Sequence, residues 1–77
     1  MVEAFVLIQT DIGKPSPVAS QVSQVDGVAA AVVVTGPYDV IARLVADDID
    51  SLGKLVVSRI QAIDGVSRTL TCPVVHL

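Results

Sequence analysis

The chain has 77 residues, 52% of them hydrophobic and 17% charged, with a net charge of −3 and a mean hydropathy of +0.71. One cysteine, Cys72, and one histidine, His76, exclude an internal disulfide and a four-ligand zinc site. The acidic balance, with Lys14, Arg43, Lys54, Arg59 and Arg68 scattered along the chain, argues against direct binding to a nucleic-acid backbone.

The length fits one domain, and a domain this small buries only about 60% of the surface its unfolded chain exposes. Without disulfide or metal, extra burial must come from another chain, and the apolar composition suits that. No apolar run reaches the roughly 18 residues of a membrane span. The start, MVEAFVLIQTD, has no basic stretch and carries Glu3 early, unlike an export signal. A cytoplasmic protein with no membrane association is the expectation, since free cysteines persist there.

Residues 2–10, VEAFVLIQT, read as a strand. A helix is expected from Ser16, with serine as its N-cap and Pro17 in the first helical position. Val18, Val22 and Val25 share one face of it, and Gly27 is placed to end it. AAAVVVT, residues 29–35, is continuously apolar, as expected of a central strand covered on both faces. TGPYDV follows, then a strand over residues 39–46. A second helix is expected from Asp48, with Ile49, Leu52, Val56, Ile60 and Ile63 along one face and Gly65 ending it. Gly53 inside that helix predicts a close packing contact, because glycine there costs about 1 kcal/mol against alanine. The last strand, SRTLTCPVV (67–75), alternates: Leu70 and Cys72 on one side, Thr69 and Thr71 on the other. Pro73 belongs at a sheet edge, a bulge or the strand end.

The two halves are related. VDGV at 25–28 returns as IDGV at 63–66, with glycines 38 positions apart, and a strand and a helix precede each. The order β-α-β-β-α-β with right-handed crossovers predicts an α+β, ferredoxin-like fold: a four-stranded antiparallel sheet with two helices on one face. The other sheet face is then bare, and a second subunit packed sheet to sheet is the economical cover.

Enzymatic chemistry finds little to work with. There is no Asn and no Trp, and the sole histidine lies one residue from the end. A Ser-His-Asp triad would have to recruit that residue. Cys72 and His76 could form a dyad, but Pro73 intervenes, and a lone strand cysteine is usually structural. No phosphate-cradling loop is present. RNA binding on such a sheet needs stacked aromatics, and Phe5 and Tyr38 are the only ones. No catalytic residue, metal or cofactor is assigned. Binding remains. TGPYDV concentrates backbone N–H groups, the Thr35 hydroxyl, the Tyr38 phenol and the Asp39 carboxylate. Asp39 could hold an ammonium and the Gly36 N–H a carboxylate, which together would suit an amino acid. The same residues also read as a hairpin loop in which Asp39 caps a turn.

TGPYDVI, followed by a helix, IDGV and a strand containing TLT, resembles the effector-binding (RAM) domain of the Lrp/AsnC, or feast/famine, transcriptional regulators, over nearly the whole chain. The resemblance implies a homodimer made by packing sheets and a higher, octamer-like assembly. It also implies a small-molecule effector, commonly an amino acid, bound in clefts between dimers. Thr35, Gly36, Pro37, Tyr38 and Asp39, with Thr69 and Thr71, would line that cleft. The helix-turn-helix half of such regulators has no counterpart in residues 1–77, so a single stand-alone ligand-binding domain is the expectation. It would act by joining a full-length regulator rather than by touching DNA. The alternatives are a purely structural assembly subunit or a small dimeric enzyme on the same fold.

Overall fold

The computed structural model describes residues 1–77 throughout. In chain order it contains β1 (Val2–Thr10), α1 (Pro15–Ser23), β2 (Val28–Val33), β3 (Val40–Ala46), α2 (Ile49–Leu55) and β4 (Val66–Pro73). The strands form one antiparallel sheet in the order β2-β3-β1-β4. This is the ferredoxin-like arrangement expected from the repeat.

Alternation along the central strands sorts the two faces. Ala4, Val6 and Ile8 of β1 and Val40, Ala42 and Leu44 of β3 are buried beneath the helices. Val18 and Val22 of α1 and Leu52 of α2 close the core from above, joined by Val56 and Ile60. The opposite face carries Phe5, Leu7, Ile41 and Leu70 with no layer over them. Paired across the sheet, Val32, Ile41, Leu7 and Leu70 make one apolar row through all four strands. Phe5 is 41% exposed, Leu70 47% and Val32 53%.

The helix ends differ from expectation. Helix α1 starts at Pro15 rather than Pro17, and its N-cap is Lys14 rather than Ser16, with no side-chain cap. Proline can open a helix because its missing N–H would have had no partner there. Helix α1 also stops at Ser23, and the chain turns through Asp26 and Gly27 before β2. The second copy repeats this turn: the Val28 N–H bonds the Val25 carbonyl at 3.1 Å, and the Val66 N–H bonds the Ile63 carbonyl at 3.2 Å. Gly27 and Gly65 both take φ of +96° in it, a conformation that L side chains resist. A Cβ on Gly27 would stand 2.5 Å from Leu55 Cδ1, so the tip of that side chain, at the end of helix α2, would have to move aside.

Helix α2 begins as expected at Asp48, whose Oδ1 accepts the Ser51 N–H at 2.7 Å. It runs on through a π-helical turn, Val56–Ile60, in which the Gln61 N–H reaches the Val56 carbonyl five residues back. Val56 and Ile60 are both buried. Ile49, placed on the buried face by periodicity, is 54% exposed. Gly53 has no close contact, since a Cβ there would meet nothing within 4 Å. The packing reason expected for it is absent within the chain.

The main correction concerns β2. Its apolar run predicts a central strand, yet β2 is an edge strand and four of its six residues are exposed. The two split crossovers place β1 and β3 at the centre. An apolar run records that a strand needs cover and carries no information on whether its own chain supplies it.

Candidate functional site

The 34–39 loop closes the β2–β3 hairpin, with the Val34 N–H bonded to the Asp39 carbonyl at 2.9 Å. Four further hydrogen bonds fix it to β1. The Asp39 N–H bonds the Ile8 carbonyl at 2.9 Å, and Gln9 Nε2 donates to the Pro37 carbonyl at 3.1 Å. Asp39 Oδ2 accepts both the Thr10 N–H, at 2.8 Å, and the Thr10 hydroxyl, at 3.2 Å. One carboxylate oxygen thus serves to pin the loop, and Oδ1 remains free to accept. The Asp39 side chain therefore ties the hairpin to the neighbouring strand, whatever else it does.

Under the loop is a hollow of about 540 Å³ lined by Leu7, Val34, Thr35, Gly36, Pro37, Tyr38 and Ile41. That volume lies in the range of small-molecule sites. The floor is apolar because Leu7 and Ile41 come from the open sheet face. Thr35, Gly36 and Pro37 are exposed and Tyr38 is half-buried. Nothing in the chain stands within 4 Å of a Cβ built on Gly36, so its backbone is open to approach.

Thr69 and Thr71 lie elsewhere. They pair with Ile8 and Val6, so their side chains turn toward the helix layer. They line a second hollow, about 340 Å³, together with Leu52, Gly53, Val56, Gln61 and Pro73 among others. Gln61 Nε2 donates to the Thr69 hydroxyl at 2.9 Å. Of the seven residues expected to share one cleft, Thr35, Gly36, Pro37 and Tyr38 line one hollow and Thr69 and Thr71 another on the opposite face of the sheet, while Asp39 lines neither. Sequence reasoning missed Leu7, Ile41 and Val34 beneath the loop and Gln61 beside the threonines. Strand alternation could have found Leu7 and Ile41. Nothing in the sequence marks Gln61.

No group of three or more His, Cys, Asp or Glu side chains is placed to hold a metal ion. Cys72 is exposed on β4, opposite Phe5 on the open face. No helix is long and apolar enough to cross a membrane.

An antiparallel sheet with helices on one side, a bare opposite face and a pinned loop over a hollow puts the chain in the class of ferredoxin-like binding domains. Comparison with known proteins narrows that class. The Lrp/AsnC ligand binding domain matches residues 3–76, and the chain belongs to that family. An uncharacterised helix-turn-helix transcriptional regulator of Pyrococcus furiosus is 32% identical over 71 residues, which are 88% of this chain and 47% of that protein. The chain thus spans about half the length of the curated relatives it matches. The crystal structure of TTHA0845 from Thermus thermophilus superposes with a TM-score of 0.93 at 31% identity, covering 100% of this chain and 96% of that one. A Neisseria meningitidis transcriptional regulator, NMB0573, solved as a complex with L-Met, shares the fold at a TM-score of 0.84 and 17% identity, over 97% of this chain and 50% of that one.

Proposed function

We propose that the protein is an effector-binding and assembly module without catalytic activity or cofactor, whose ligand is a small molecule of the amino-acid class. The observation that carries this reading is the split site. The Thr35–Asp39 loop and the Thr69/Thr71 pair face opposite ways in one chain, so a cleft using both needs two chains. Binding and assembly are then one process: a ligand between protomers stabilises the contact that creates its own site. Family membership supports a ligand-binding role, and the L-Met complex of a fold neighbour supports an amino acid as its chemistry.

The assembly begins with a homodimer through the open sheet face. Phe5, Leu7, Ile41 and Leu70 form its apolar centre, and Glu3 with Arg43 and Gln9 with Arg68 form a polar rim, the usual anatomy of an interface. Residues 1–77 act as one ligand-binding domain, and octamer-like assembly follows when dimers meet around effector clefts. A full-length Lrp/AsnC regulator is the partner of choice in the cytoplasm, with its own helix-turn-helix half supplying the DNA contact. In the loop, Asp39 Oδ1 takes the effector's ammonium, and the Gly36 N–H and Thr35 hydroxyl take its carboxylate.

Thermal unfolding against the twenty amino acids at millimolar concentration tests this. A ligand at a hundred times its Kd stabilises the folded state by about 2.7 kcal/mol, several degrees for a chain this short. We expect a shift with one or a few of them, lost in Asp39→Ala while the sheet-face dimer is retained. No shift with any amino acid would favour a purely structural subunit, which the open face and bare edge of the sheet equally support.

A further inference from the structure

Of the five glycines, Gly13, Gly27, Gly36 and Gly65 take positive φ. Gly53 does not, and it stands inside helix α2, where glycine weakens a helix relative to alanine. Outside its own helical turns, nothing lies within 4 Å of a Cβ built there. Neither backbone conformation nor packing within the protomer accounts for it. Ile49 and Val57, one turn to either side on the same face, are 54% and 65% exposed. With Asp50, Lys54 and Ser58 these three line a shallow hollow of about 440 Å³.

The charges beside this stripe are arranged for a second copy of it. Asp50 and Lys54 each follow a member of the stripe by one residue, so they share one flank of the helix. Neither forms an ion pair within its own chain. Two copies of α2 laid antiparallel about a two-fold axis at Gly53 bring like flanks together. At about 1.5 Å per residue, Asp50 then lies about 4.5 Å from the axis, and the partner's Lys54 about 1.5 Å from it on the same side. The two are about 3 Å apart along the helix, within reach of an ion pair, and the symmetry makes two such pairs. Ile49 of each copy meets the partner's Val57. Gly53 meets the partner's Gly53, with no side chain to hold the backbones apart.

We propose that this face of α2 is a self-complementary helix–helix contact, occupied by α2 of a second copy crossing at Gly53. The residue that costs the helix stability is then the one that lets two helices approach. Charge selects the occupant. A foreign helix must happen to present an acid and a base in the matching order, whereas a second copy carries that order by symmetry. On a chain of net charge −3, two copies repel over most of their surface. The α2 hollow instead carries one charge of each sign, placed to attract. The contact uses neither the open sheet face nor a sheet edge, so it joins particles through their helix layers. It stands on α2 alone and does not depend on effector binding.

Sedimentation equilibrium on the intact protein, with no amino acid added, tests it. Gly53→Gln suits the lone protomer, because its Cβ meets nothing, but it sets a side chain at the crossing. Asp50→Lys and Lys54→Glu each place like charges across the axis. We expect wild-type particles larger than the sheet-face dimer, and association beyond that dimer weakened about tenfold or more in each of the three variants. Mixing Asp50→Lys with Lys54→Glu should restore the wild-type mass, since each then offers the charge the other lacks. The double variant carrying both changes in one chain should also regain it. Misfolding cannot produce such rescue, so the test holds even if one variant is less stable. A wild-type protein that stops at the sheet-face dimer would overturn the proposal. So would wild-type mass in Gly53→Gln or in both charge variants, or a mixture and a double variant that both fail to reassociate.

Discussion

The two faces of the sheet are made by the same strands from residues that alternate one by one. On the helix side, Ala4, Val6, Ile8, Val40, Ala42 and Leu44 are fully buried. On the other, their immediate neighbours Phe5, Leu7 and Ile41 are equally apolar but lie open or half-open. Large apolar side chains therefore stand on both faces, while this chain covers only one. The helix side makes the domain fold. The open side has no role in a lone protomer that polar residues would not fill at least as well, which is the physical case for an interface.

Adjacent positions on β1 give the largest test of that difference. Ile8→Ala should cost about 2–5 kcal/mol in urea unfolding, because it leaves a cavity in a closed core. Leu7→Ala should cost far less in dilute protein, and its cost should grow with protein concentration as the face becomes covered. Equal costs at low concentration would erase the distinction between the faces.

A smaller effect concerns how the helix layer sits on the covered face. Gly27→Ala should cost about 1–2 kcal/mol for the left-handed backbone alone, plus whatever Leu55 loses in moving aside. Gly13→Ala is the matched control, since its φ of +79° is also positive but a Cβ there meets nothing within 4 Å. The difference between the two melting temperatures reads the crowding alone, and no difference would mean that Leu55 yields freely.

On the open face, Arg43 Nη1 and Glu3 Oε2 form an ion pair at 2.7 Å, partly exposed on both sides. Glu3→Ala and Arg43→Ala should each cost under about 1 kcal/mol in the dilute protein, as exposed pairs do. A cost that rises with protein concentration would place this pair inside the dimer contact; a constant one would place it outside.

The smallest effect lies at the start of α2. The backbone N–H of Ser51 holds the Asp48 carboxyl below its ordinary value of 3.8, with the Ser51 hydroxyl assisting. A carboxyl lowered in the folded state contributes stability that is complete above the unfolded value and lost as the pH falls through the folded one. Asp48→Ala should therefore lower the melting temperature slightly near neutrality. Its gap from wild type should close below about pH 4. Ser16→Ala should have no such effect, because Ser16 caps nothing. A gap that persists at low pH would mean that Asp48 acts other than as a charged cap.

Much of the fold was legible because it rests on local rules. The DGV repeat marks the two turns, the Asp48 cap marks the start of α2, and the spacing of Val18 and Val22 marks the buried side of α1. The errors lie where a residue's partner is distant or absent. Pro15 displaced Pro17 as the opening of α1, a choice between two acceptable starts two residues apart. The π-turn at Val56–Ile60 is invisible in a periodic pattern that already suited a plain helix. The apolar run of β2 was misplaced at the sheet centre because burial by another chain and burial by one's own leave the same signature.

The candidate site divides in the same way. The sequence by itself determined that TGPYDV would be a turn rich in polar groups, since Gly36, Pro37 and Asp39 act through their own backbone preferences. It also determined the order of elements and the alternation that separates Leu70 and Cys72 from Thr69 and Thr71. Only the tertiary structure decided that Asp39 is bound to Thr10, that Leu7 and Ile41 floor the loop's hollow, and that the threonines turn the other way. The reason is range: turns, caps and alternation are set by neighbours along the chain. Pairing register and the facing of a cleft depend on which strands the crossovers bring side by side.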